Sequence, residues 1–194
     1  MRRVVVTEFI SVDGVIEAPG GGEEFDRGGW AFQFDRGDEG NKFKLDELFE
    51  AEAQLLGRKT YEGFAAAWPN RPDDEAGFTQ KMNGMQKYVV SNTLEDPSWQ
   101  NTTVLGGDPA DAVRRLKEDG DGVLLIAGSA QLVQALTEAG LVDEYRLMVF
   151  PLVLGAGKRL WADTSAPAAL KLVESKPVGD DGVVIQRYVP KDAA

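Results

Sequence analysis

The run Gly122-Val123-Leu124-Leu125-Ile126-Ala127-Gly128-Ser129-Ala130-Gln131 begins as a strand and ends as a helix. Residues 122–127 are a short apolar run rich in branched side chains, as a buried strand is. Gly128-Ser129 breaks the run. Residues 130–139 then set Leu132, Val133 and Leu136 on one helical face. A buried strand, a tight turn and an amphipathic helix make the repeating unit of a layered α/β domain with parallel strand pairs.

The same alternation extends in both directions. Upstream, Val4-Val5-Val6-Thr7-Glu8-Phe9-Ile10-Ser11 is a strand stopped by Asp13-Gly14. Residues 41–53 read as a helix facing inward through Leu45, Leu48 and Phe49. Residues 54–56 read as a short strand, 59–67 as a helix ending at Trp68-Pro69, and 78–85 as a further short helix. Residues 87–91 and 102–105 read as strands. Asp108-Pro109 opens a helix, with Asp as cap and Pro at the first helical position. Downstream, residues 143–154 are strand-like and interrupted at Pro151. Residues 170–177 and 183–189 flank Gly179-Asp180-Asp181-Gly182, a hairpin signature. Residues 14–40 hold eight of the 22 glycines, and residues 17–50 hold ten acids against four bases. That stretch reads as a long flexible acidic loop carrying Phe25, Trp30, Phe32 and Phe34, either a lid or a surface loop tacked down by its aromatics. The 194 residues suit one compact domain spanning 1–194, with a mixed, mainly parallel sheet and a terminal antiparallel hairpin.

Composition narrows the chemistry. With 21 Lys+Arg against 32 Asp+Glu the net charge is −11, which disfavours nucleic-acid backbones but leaves room for a small anion in a local basic pocket. There is no cysteine and no histidine, so disulfides, thiolate zinc sites, cysteine nucleophiles and a Ser-His-Asp triad are excluded. A metal would need carboxylates and carbonyls. Asp73-Asp74-Glu75 and Glu23-Glu24 read as solvated charge runs, so no metal is expected. No apolar run is long enough for a membrane span, and Met1-Arg2-Arg3 leads straight into a strand rather than a signal peptide. The expectation is a cytoplasmic protein with a small-molecule partner.

Three strand-to-turn junctions carry the functional signal. At Leu56-Gly57-Arg58-Lys59-Thr60 a helix starts with two cations and a hydroxyl, which favours an anion at the positive helix end. An ordinary solvated helix start is the alternative. At Gly128-Ser129-Ala130-Gln131 small residues let a ligand approach the backbone, as at the phosphate end of a dinucleotide site, although the full glycine fingerprint is missing. Ser129 as a plain helix N-cap is the alternative. At Ser91-Asn92-Thr93 short polar groups end a strand, fit either for a ribose or phosphate or simply for a turn. Ligands of open α/β sheets bind at the carboxyl ends of strands, so the three together weigh more than each alone. Gly155-Ala156-Gly157-Lys158 lacks the hydroxyl and the spaced glycine of an ATP loop and is not read as one.

The ordered set Ser11-Val12-Asp13-Gly14-Val15-Ile16, Gly57-Arg58-Lys59-Thr60, Ile126-Ala127-Gly128-Ser129-Ala130 and Pro151-Leu152-Val153-Leu154-Gly155-Ala156-Gly157 resembles the dihydrofolate reductase-like family, in the branch of the riboflavin-biosynthesis reductase domain. The resemblance implies the three-layer α/β fold of that family, NADPH as cofactor, and a homodimer. It implies reduction of a small heterocyclic or pyrimidine-nucleotide-like substrate, as in 5-amino-6-(5-phosphoribosylamino)uracil reductase activity. By position, Gly57, Arg58, Lys59 and Thr60 would hold the adenosine-side phosphates. Ser91 and Asn92 would lie by the 2′-phosphate or adenosine, and Gly128, Ser129, Ala130 and Gln131 would cover the pyrophosphate. The backbone near Phe9 and Ile16 would face the nicotinamide. Trp30 and Phe32 are candidates to stack on substrate. Asn41 falls near the position where folate reductases carry an acid, which argues against folate reduction and leaves no catalytic residue assigned. For a substrate phosphate the candidate cations are Arg27, Lys158 and Arg159. The rival reading is a non-catalytic nucleotide-binding or structural dimer of the same fold.

Overall fold

The computed structural model describes residues 1–22, 24–161 and 167–191. In chain order its elements are β1 (Arg3–Ser11), α1 (Gly37–Glu50), β2 (Ala51–Gly57), α2 (Arg58–Ala67), α3 (Phe78–Gly84), β3 (Gln86–Val90), β4 (Thr102–Leu105), α4 (Pro109–Glu118), β5 (Val123–Ala127), α5 (Ala130–Glu138), β6 (Glu144–Phe150), β7 (Leu170–Val178) and β8 (Val183–Pro190). One eight-stranded sheet runs in the order β4-β3-β2-β5-β1-β6-β8-β7. Strands β1 to β6 pair in parallel, while β8 lies antiparallel to both β6 and β7. The ends Ser11, Gly57, Val90, Leu105, Ala127 and Phe150 therefore all reach one edge of the sheet.

Alternation in β1 shows why the sheet is covered on both faces. Val4, Val6 and Ile10 point to one layer, where Val113 and Leu116 of α4 and Leu132, Val133 and Leu136 of α5 close the core. Val5 points to the other, with Leu48 of α1, Tyr61 of α2 and Met82 of α3. A third cluster gathers Val15, Trp30, Phe150, Val183 and Ile185 below the glycine-rich segment. Helix α4 starts as expected, with Asp108 Oδ1 accepting the Asp111 N–H at 3.0 Å and Pro109 opening the helix. Among the described residues no helix is long and apolar enough to cross a membrane.

Four expectations need correction. The helix expected over 41–53 lies at Gly37–Glu50, and the short strand expected over 54–56 is the seven-residue β2. Ala51 and Ala53 are helix formers by propensity, but pairing with Val123 and Leu124 of β5 holds them extended. Asp35 Oδ1 accepts the Gly37 N–H at 2.7 Å and starts the helix four residues early. Phe49, expected inside, is 52% exposed. The segment 17–40 is not structureless: it contains a 3-10 turn at Trp30–Gln33 and the first residues of α1. In the charge runs, Asp74 caps α3 by accepting the Phe78 and Thr79 N–H groups at 3.0 and 2.7 Å. Glu23 lies outside the described residues.

Candidate functional site

The turns after β2 and β5 are tied directly to each other. The Gly57 N–H donates to Ser129 Oγ at 2.9 Å, and the Ser129 N–H donates to Thr60 Oγ1 at 2.9 Å. Gly128 sits at φ +63°, where a Cβ would lie 3.1 Å from Thr60 Cγ2 and Oγ1, so only glycine lets the two turns meet this closely. Ser129, itself left-handed at φ 59°, uses its hydroxyl across this seam and makes no side-chain cap on α5. Ser129 thus holds the N-cap position of α5, its carbonyl accepting the Val133 N–H at 3.0 Å, without capping through its hydroxyl. Helix α2 has no side-chain cap either. Two helices thus present uncapped N-terminal amides at one sheet edge, and such ends favour an anion.

The third junction adjoins them, since Gly57 pairs with Val90, the residue before Ser91. Ser91 Oγ accepts the Thr93 and Leu94 N–H groups at 3.1 and 2.9 Å. Asn92 Oδ1 accepts the Gly107 N–H at 2.6 Å, stitching the ends of β3 and β4. Both side chains therefore shape their turns, as the turn reading holds. Arg58 pairs with Glu62 at 2.8 Å on a half-exposed face, and Lys59 is exposed. Gln131 is exposed and Ala130 half-buried on the first turn of α5.

At the end of β1 the residues sort differently from expectation. Phe9 is half-buried, edge-on to Phe150 at 5.3 Å, with the Arg36 guanidinium 5.0 Å and the Lys44 ammonium 4.9 Å from its ring centre. Ile16 is buried in the core and its N–H donates to the Lys158 carbonyl at 2.9 Å. Trp30 cannot stack on a substrate: it is 1% exposed, packs on Phe150, and donates its indole N–H to the Glu17 carbonyl at 2.9 Å. Phe32 is 72% exposed. Asn41 accepts the Arg36 Nε–H at 2.7 Å, so its amide orients a cation.

The cations expected to grip a substrate phosphate are engaged elsewhere. Lys158 pairs with Glu17, Arg159 Nε donates to the Asp13 carbonyl at 3.1 Å, and Arg27 donates to the Leu154 carbonyl. Asp13 in turn accepts the Ser11 hydroxyl at 2.7 Å and the Leu154 and Gly155 N–H groups at 3.0 and 2.8 Å. The Ser11 hydroxyl and these two amides hold its carboxyl down at about 2. The glycine-rich turn at 155–157 is thus docked onto the loop after β1. Arg36, by contrast, meets no carboxylate among the described residues, and burial lowers its pKa.

Besides Arg36, four residues of this site escaped the sequence reading. Lys44 Nζ donates to Thr7 Oγ1 at 2.6 Å, Thr7 donates to Glu47 Oε1 at 2.6 Å, and Lys44 pairs with Glu47. Glu8 points to the opposite face of β1, 4% exposed, and its Oε1 has no hydrogen-bond partner among the described residues. Burial pushes the Glu8 carboxyl well up, and Glu47 adds to this; the Gly128 N–H and Lys44 oppose it. The signal was available as an acid inside the otherwise apolar run Val4 to Ile10.

A family model described as the RibD C-terminal domain matches residues 2–184. The Bacillus subtilis (strain 168) protein YyaP, itself uncharacterized, is 29% identical over 177 residues, covering 90% of this chain and 88% of its own. Among solved structures, a protein of Shewanella sp. PV-4 named for riboflavin biosynthesis superposes with TM-score 0.74 at 18% identity, over 97% of this chain and 99% of that one. Enterococcus faecalis dihydrofolate reductase, complexed with NADP(H), gives 0.62 at 16% identity over 98% and 97%. Acinetobacter baumannii RibD gives 0.65 at 17% identity over 98% of this chain and 58% of that longer one. At these identities the structures establish the fold, the mainly parallel α/β sheet of the dihydrofolate reductase-like proteins. With the family model covering nearly all of it, the chain belongs to the RibD C-terminal domain family.

Proposed function

We propose that this protein is an NADPH-dependent reductase acting on a small heterocyclic, pyrimidine-nucleotide-like substrate of the riboflavin-pathway type. The observation that carries the reading is the seam at the sheet edge, where Gly57, Thr60, Gly128 and Ser129 lock two uncapped helix ends side by side. The close approach of the Gly128 backbone to Thr60, where a Cβ would lie 3.1 Å from the Thr60 side chain, and the unfilled oxygen of Glu8 fit a dinucleotide laid across that edge. The similarity in fold to a dihydrofolate reductase complexed with NADP(H) supports the same cofactor.

When bound, NADPH supplies the hydride. The protein's own residues position and shield. The first-turn amides of α2 and α5, with Lys59, Thr60, Ala130 and Gln131, would hold the phosphates. Arg58 would leave Glu62 for the 2′-phosphate, with Ser91 and Asn92 shaping the adenosine side. The backbone at Phe9 and Ile16 would border the reactive ring. Arg36, over Phe9, replaces Arg27, Lys158 and Arg159 as the cation that would hold an anionic substrate group, beside Lys44, which stays paired with Glu47. Phe32, on the segment anchored by Trp30, would close over it and exclude water. The homodimer implied by the resemblance belongs to the same proposal.

Arg58→Ala is expected to weaken NADPH about tenfold and NADH within about twofold, because a dianionic 2′-phosphate loses a forked partner. Fluorescence titration with both dinucleotides measures it, and equal loss for both would remove the 2′-phosphate role. NADPH consumption with a pyrimidine ribosylamine phosphate then separates an enzyme from a nucleotide-binding protein without catalysis.

A further inference from the structure

Strands β1 and β5 pair as far as Thr7 and Ala127, and beyond that point β5 turns away at Gly128 while β1 continues beside β6. Glu8 is the first residue past the fork. Its side chain shares a face with Val6 and Ile10, on the layer that also holds Ile16. It is 4% exposed, yet one carboxyl oxygen is satisfied by nothing among the described residues. A buried polar atom left unpaired costs about 1–3 kcal/mol, so a sequence that keeps one at a ligand-binding edge has a reason beyond stability.

We propose that Glu8 is a specificity residue whose side chain receives the primary carboxamide of the nicotinamide ring. A carboxyl group and a primary amide are matched edge to edge: the acid O–H donates to the amide carbonyl while the acid carbonyl oxygen accepts the amide N–H. The unfilled Oε1 is the acceptor half of that pair. Burial keeps the group protonated toward higher pH, which provides the donor half. The groups that act on it from other elements are the Gly128 N–H, before α5, and Lys44 and Glu47, from α1. This inference rests on the cofactor reading above and extends it to one side chain.

The test uses NADPH and its reduced 3-acetylpyridine analogue, in which a methyl group replaces the amide nitrogen, titrated by fluorescence without any acceptor present. Wild type is expected to prefer NADPH about tenfold. Glu8→Met should bind both within about twofold of each other, whereas Glu8→Gln, which offers a carbonyl and an N–H at the same reach, should keep the preference. NADPH affinity of the wild type should fall as pH rises through the Glu8 pKa, and that of Glu8→Gln should stay level. A preference undiminished in Glu8→Met, or equal weakening of both dinucleotides, overturns the Glu8 assignment while leaving the cofactor reading intact. If wild type binds neither dinucleotide, both fall together.

Discussion

Glu144→Gln is expected to lower stability by about 2–4 kcal/mol, read as a fall of roughly 5–15 °C in Tm by calorimetry. Glu144 opens β6 with a side chain only 2% exposed. It accepts from Arg187 Nε at 2.7 Å, Arg146 Nε at 3.0 Å and Arg3 Nη2 at 2.7 Å, joining three strands. Arg146 also reaches Glu50, at the end of α1, at 2.7 Å. Burial alone would raise the Glu144 carboxyl, but hydrogen bonds from Arg146 and Arg187, with their charges, bring it down to about 2. The amide would remove the charge and leave the buried Arg146 guanidinium facing an N–H₂ group. The sign of the pH effect follows from the depressed pKa: the stabilisation is complete above the ordinary 4.5 and is lost as pH falls towards 2. Acid titration of Tm should therefore fall less steeply for Glu144→Gln between those limits. An unchanged melting temperature at neutral pH, or an acid limb identical to wild type, would contradict the network's role.

Gly128→Val is expected to weaken NADPH at least 100-fold while costing only about 1–2 kcal/mol of stability. A branched side chain at φ +63° is strained, and its Cβ would press on Thr60 at 3.1 Å. The local loss is small because the strand and helix on either side are held by their own core contacts at Ile126, Leu132 and Val133. The functional loss is large because relieving the clash moves Thr60 from the Ser129 N–H. That movement separates the ends of α2 and α5 and fills the space in which the phosphates would lie. Titration of NADPH against the folded variant measures it, with circular dichroism as the check on folding. Wild-type affinity in the folded variant would show that the seam does not bind the cofactor.

Much of this architecture could be read directly because burial patterns are local. The apolar run at 122–127, the Asp108-Pro109 start of α4 and the Gly179 to Gly182 hairpin each carry their own signal, and each lies where expected. The boundary between α1 and β2 did not, because Ala51 and Ala53 become strand through pairing with β5, more than 70 residues away, and Ala53 also through pairing with Gln86 of β3. The site divides in the same manner. Glycines and hydroxyls at strand ends marked the three junctions, and the parallel topology brings their carboxyl ends to one edge. That Ser129 reaches Gly57, that Asn41 aims Arg36, and that Trp30 is core rather than ligand platform are facts of tertiary contact. Glu8 stood in plain view as an acid in an apolar strand, but its unfilled oxygen is visible only once its neighbours are known.

The most direct measurement is an amide-resolved NMR titration of the wild-type protein with NADPH. The amides of Gly57, Arg58, Gly128, Ala130 and Gln131 should shift together and saturate with a single dissociation constant. Shifts confined to the open hollow of about 490 Å³ lined by Phe49, Gly77, Gln80, Lys81, Gly84 and Met85, or no saturable shift anywhere, would contradict a dinucleotide site at the carboxyl edge of the sheet.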